Sequence, residues 1–139
     1  MAFALGIVLN AFAQKETYNV LAAYVGTLNA QSEVVWGNRK LKVSSIEIDN
    51  DARSFKIIFK KGKVEEYRLL GENGDASYAV VTVHEKMSRE GWDVTDYSAE
   101  NQWGHSALIR KRTHAREGKI QYFVYGRGVY GFDVELKKE

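Results

Sequence analysis

Apolar side chains recur at every second position along much of this chain. That feature restricts the fold most, because a strand turns successive side chains to opposite faces. Tyr18, Val20, Ala22, Tyr24 and Leu28 hold even positions. Leu41 pairs in phase with Val43, Ile46 with Ile48, and Phe55 with Ile57 and Phe59; Ile120, Tyr122 and Val124 alternate, as do Tyr130, Phe132, Val134 and Leu136. The phase slips by one residue between Val43 and Ile46, which predicts a β-bulge, and Gly26 predicts a second bulge or a close backbone approach. Lys60-Lys61-Gly62-Lys63 is the expected turn of a hairpin ending at Leu70, and Gly126-Arg127-Gly128 that of a last hairpin. These signals predict an antiparallel, meander-like sheet of about six to eight strands.

One segment breaks the alternation, and the rest of the chain is expected to be arranged around it. Between Asp75 and Gly91, Ala79, Val80, Val83 and Met87 recur at three- and four-residue spacing, while Glu85, Lys86, Arg89 and Glu90 are left for solvent. Asp75 or Ser77 can cap such a helix at its start and Gly91 at its end. The expected fold class is therefore α+β, an antiparallel sheet of hairpins with one principal helix over about residues 77–90. The β-branched run Tyr78–Val83 would suit a strand equally well. After Gly91-Trp92-Asp93 an extended segment reaches Tyr97, Ser98 to Gly104 is a polar loop, and Ala107 to Arg112 is a second strand running out into solvent.

Gly91-Trp92-Asp93 and Ile109-Arg110-Lys111-Arg112 carry a partial resemblance to a family of small bacterial domains of unknown function. In that family a helix ends in Gly-Trp-acid, and two antiparallel strands follow, the second closing on Lys/Arg. The resemblance covers roughly residues 77–112 and implies a fold fragment with no known chemistry.

A chain of 139 residues is expected to form one domain and can bury a full core without a metal or disulfide. With no cysteine, thiolate metal sites, cysteine nucleophiles and disulfides are excluded; a net charge of +2 is too small to imply nucleic acid by itself. Residues Met1 to Ala13 are apolar, uncharged and close on Ala11-Phe12-Ala13, as a secretory signal peptide would, although no Lys or Arg precedes the apolar part. The alternative is a strand or helix packed on the core. The expected division is thus a signal peptide at 1–13 and a single domain at 14–139, in the periplasm or secreted, or cytoplasmic if the segment is retained. Lys15-Glu16 ends the apolar run too early for a membrane span.

No catalytic motif emerges. Gly126-Arg127-Gly128-Val129-Tyr130-Gly131 matches G-x-G-x-x-G, but strand alternation follows where a dinucleotide site needs a helix. Asp49-Asn50-Asp51 lacks the further ligands of a calcium loop, and His84, His105 and His114 have no metal-binding spacing, so no metal or cofactor is expected. His105, with Asp93 or Asp96 to orient it, is the best candidate for a general base of a hydrolase. Arg110, Lys111, Arg112, Arg116 and Lys119, followed by Tyr122, Phe123 and Tyr125, form the most nucleic-acid-like segment, which requires rings and cations on one exposed face. The preferred expectation is a non-catalytic exported domain that binds a protein partner, a glycan or a small ligand. Trp103, His105, Tyr97, Trp36 and Tyr130 are its candidate contacts, though Trp36 suits a core or rim position as well.

Overall fold

The computed structural model of the protein describes residues 15–70, 80–82 and 91–137. Ten strands form one sheet: β1 (Lys15–Leu28), β2 (Val34–Lys40), β3 (Val43–Asp49), β4 (Ser54–Phe59), β5 (Val64–Leu69), β6 (Val80–Thr82), β7 (Trp92–Asn101), β8 (Ser106–His114), β9 (Lys119–Tyr125) and β10 (Val129–Leu136). Every pairing is antiparallel. β1, β3, β4, β5, β7, β8, β9 and β10 follow one another round a ring, and β10 returns to β1 from Tyr18↔Leu136 to Gly26↔Val129, closing an eight-stranded barrel. β2 extends from the far half of β1 and β6 flanks β7, so both lie off the ring.

The α+β expectation is corrected: the fold is all-β, with no helix among the described residues. Part of the expected helix, in its first half, is β6, whose Val80, Val81 and Thr82 pair with Asp96, Thr95 and Val94. Branching at Cβ restricts these side chains in a helix and favours the pleated alternative, so tertiary pairing overrode a helical spacing built on few residues. Residues 77–79 and 83–90 of that expected helix, with His84, lie outside the described residues, as does the candidate signal peptide at 1–13. Gly91 keeps the left-handed backbone expected of it, φ +88°, but uses it to enter β7 directly against the His114 ring. The polar loop expected at Ser98–Gly104 is mostly strand, because β7 stays paired to β8 as far as Glu100↔Ser106.

Inward positions fill the barrel. Tyr18, Ile46, Phe55, Ile57, Tyr67, Leu69, Ala99, Ile109, Tyr122, Val124, Phe132 and Val134 form the core, with Val20, Ile48, Phe59, Tyr97, Ile120 and Tyr130 packed against it. Rings from four strands meet across the interior: Tyr18 and Tyr122 have centroids 5.5 Å apart, Tyr122 and Phe55 5.5 Å, Phe55 and Tyr67 6.3 Å. An eight-stranded barrel is just wide enough for such filling. Lys56, Glu66, Arg68, Glu100, Arg110 and Asp133 alternate with these residues on the outer face, the inverse of a lipid-facing barrel, which is apolar outside. No helix among the described residues is long and apolar enough to cross a membrane.

Besides the shift between Tyr24 and Gly26, where the sequence predicts a bulge or a close backbone approach, two further irregularities interrupt the ladders. The phase slip expected near Val43 is present as a shift between Val43 and Ser45. A second shift, between Val20 and Ala22, was not legible; it turns Ala23 inward and sends Tyr24 to the outer face.

Candidate functional site

The turns at one end of the barrel build its mouth. Three of them share one geometry, a three-residue loop whose last residue takes positive φ: Asn29–Glu33 with Ser32 at 61°, Phe59–Lys63 with Gly62 at 91°, and Asn101–His105 with Gly104 at 84°. In the last, the Asn101 side-chain oxygen accepts hydrogen bonds from the backbone N–H groups of Trp103 (3.0 Å) and His105 (2.9 Å). This local clasp projects Trp103 over the barrel end, where the residue is 56% exposed.

Beneath it lies a cavity of about 180 Å³ lined by Glu65, Tyr67, Asn101, Trp103, Arg127 and Tyr130. A broader depression of about 560 Å³ adjoins it, with Lys40, Lys42, Lys61 and Lys63 around Leu41 and Phe59; Glu65 and Tyr130 line both. The lysine turn expected at 60–63 therefore forms one wall of the barrel mouth. Glu65 lies in phase with Tyr67 and Leu69, on the inward side of β5. One of its carboxylate oxygens is buried and has no hydrogen-bond partner in the structure. Burial raises its pKa above the ordinary carboxylate value, and Lys63 opposes the shift.

The structure distributes the expected site residues over three places. Trp103 and Tyr130 come together at the mouth. His105 ends the turn at the same end; its Nδ1 is 3.5 Å from the Asn101 side-chain nitrogen, and it is exposed. Neither expected carboxylate orients it, for Asp96 is five residues down β7 from Asn101, roughly 17 Å at strand rise, and is held by Arg110. Tyr97 packs inside the barrel near Tyr18, Tyr122 and Glu16, where burial raises its pKa. There the Tyr18 hydroxyl donates to Glu16 at 2.6 Å.

Trp36 lies outside. Its six-membered ring would meet a Cβ at Gly26 within 2.9 Å and at Gly131 within 2.8 Å, so two glycines on adjacent strands allow it to lie flat on the sheet. It also contacts Phe123 (5.9 Å between centroids) and Tyr24 (6.2 Å), covering a shallow hollow with Arg112, Gln121 and Asp133.

The basic segment is split. Arg110 and Arg112 share the outer face with Phe123 and Tyr125, whereas Lys111 faces inward beside Tyr122. Arg116 sits on the β8–β9 turn. The rings and two of the cations thus share a face as a nucleic-acid surface would need, but both guanidiniums are engaged within the fold. Arg110 forms two hydrogen bonds to Asp96 (2.8 and 3.0 Å), which raise its pKa, and lies over Tyr125; Arg112 stacks 4.3 Å from the Trp92 ring centroid and 5.7 Å from that of Phe123. His114 is buried edge-on to Trp92, its Nδ1 accepting the Glu117 backbone N–H at 3.1 Å, a structural role for that imidazole. No group of three or more His, Cys, Asp and Glu side chains among the described residues could hold a metal ion.

Compared with protein-family models, with curated proteins and with solved structures, the chain matches none.

Sequence reasoning missed Glu65, Tyr67, Asn101, Arg127 and the lysine wall as parts of one site. A carboxylate in the apolar phase of β5 was the available signal. The convergence of Asn101 and Arg127 on it had none, because barrel closure alone brings the β7–β8 and β9–β10 turns together.

Proposed function

We propose that the protein is a non-catalytic binding barrel, exported, whose open end takes a small hydroxyl-bearing ligand of the glycan or sugar-like class. The observation that carries this reading is the buried, unpartnered carboxylate oxygen of Glu65 on the wall of the mouth cavity. A buried acceptor without a donor is costly unless something supplies one, and a ligand hydroxyl would do so. Trp103 and Tyr130 add the aromatic surfaces on which a ring can lie, and Asn101 and Arg127 add polar groups that fix its orientation. Among the described residues Glu65 is the one carboxylate in this lining, whereas the common acid–base mechanism of glycoside hydrolysis uses two. Export rests on the apolar segment 1–13 and is checked by sequencing the N-terminus of the expressed protein.

The test is a two-dimensional NMR titration with neutral monosaccharides. Shift changes are expected to concentrate at Glu65, Tyr67, Asn101, Trp103 and Tyr130, and to disappear in Trp103→Ala and in Glu65→Gln but persist in His105→Ala. Changes confined to the Trp36–Phe123 face, or none at all, would overturn the assignment of the mouth.

A further inference from the structure

The mouth is electrically lopsided. Lys40, Lys42, Lys61 and Lys63 surround the broad depression, Arg127 borders the cavity beside it, and among the described residues Glu65 is the only acid lining either. These four lysines are exposed, and no ion pair joins Lys40, Lys42 or Lys61 to a carboxylate among the described residues. The chain as a whole carries only +2, so this end concentrates positive charge that the rest of the molecule offsets. Such a concave cationic surface focuses its field on whatever occupies the opening.

The two depressions meet at Glu65 and Tyr130, and they ask opposite things of an occupant. On the Trp103 side a ligand meets an acceptor in need of a donor, aromatic rings and an amide. On the lysine side it meets ammonium groups that only an anion can neutralise. Resting on the ligand-binding reading above, we propose that the mouth takes an acidic hydroxyl-bearing small molecule, its ring beside Trp103 with a hydroxyl to Glu65, and its phosphate or carboxylate over Lys40, Lys42, Lys61 and Lys63. The polarity fixes the ligand's direction. The reverse orientation would set an anion against Glu65.

Isothermal titration with glucose, glucose 6-phosphate, glucuronate and inorganic phosphate separates the two levels of the claim. At about 0.02 M salt, glucose 6-phosphate and glucuronate should bind about tenfold more tightly than glucose or phosphate alone, and the advantage should shrink toward nothing near 0.5 M, roughly where screening reaches contact distance. Lys61→Gln with Lys63→Gln should lose most of that advantage and retain the affinity for glucose; Trp103→Ala should lose both, with circular dichroism confirming that each variant is folded. Equal binding of glucose and its acids would overturn the acidic-ligand inference and leave the binding barrel standing. Phosphate binding as tightly as the ester would also overturn it, since the anion and the hydroxyl would then not act through one molecule. If no sugar binds, both proposals fall.

Discussion

Glu65 occupies a position that barrel packing ordinarily gives to an apolar side chain, because β5 sends 65, 67 and 69 inward. Its carboxyl holds its proton more tightly folded than unfolded. The folded state therefore binds more protons through the interval above the ordinary carboxylate value of 4.5, and stability must fall as pH rises through the folded value. Glu65→Gln should consequently match the wild type in thermal unfolding at acid pH and exceed it at neutral pH, with a flatter dependence between; equal pH profiles for the two would refute the burial of this carboxylate. The residue was legible in principle, since a charged side chain in phase with Tyr67 and Leu69 is an anomaly visible in the sequence. Trp103 and Tyr130 were legible as candidate contact aromatics but not as neighbours. They stand on a turn and a strand that only the closed ring brings to one opening, and no local spacing encodes that closure.

Turns and short flanking strands decide how well this opening is built. Asn101 satisfies two backbone donors of the turn that carries Trp103, so Asn101→Ala should cost about 1–3 kcal/mol at about 0.5–1.5 kcal/mol per hydrogen bond, and should weaken sugar binding more than Asn29→Ala, which removes the same pair of bonds at the β1–β2 turn. A chemical melt and a titration on both variants distinguish the effects. The β1–β2 hairpin depends on a different device. A Cβ at Gly131 would stand 2.8 Å from the Trp36 ring, so Gly131→Ala should displace that ring from Phe123 and Tyr24, move the Trp36 indole resonance toward its solvent-exposed position, and lose about 1–3 kcal/mol. Hairpins were the most readable elements, because β4–β5 and β9–β10 announce themselves by alternation and turn residues together. β6 was the least readable. Its spacing fitted a helix on a few apolar positions, while its edge pairing to β7, which settles the question, depends on residues 12 to 16 positions away.

Across the whole molecule, stability depends on rings that reach from strand to strand at the centre of the barrel. Phe55 touches both Tyr67 and Tyr122 and is 1% exposed, so Phe55→Ala should cost about 3–5 kcal/mol by leaving a cavity that the surrounding rings cannot close; denaturant unfolding followed by circular dichroism measures it. A loss of that size is a large fraction of the roughly 5–15 kcal/mol that holds a typical domain together. The all-β class was within reach of the alternation, but closure was not, because a meander of hairpins can end as an open sheet or as a ring. The seam between β1 and β10 decides between them, with partners more than a hundred residues apart. Synthesis proceeds from one side of that seam to the other, so β1 leaves the ribosome long before its companion exists. Until residues 129–136 emerge, the nascent chain presents a bare strand margin to its surroundings, on which a strand from another chain can pair.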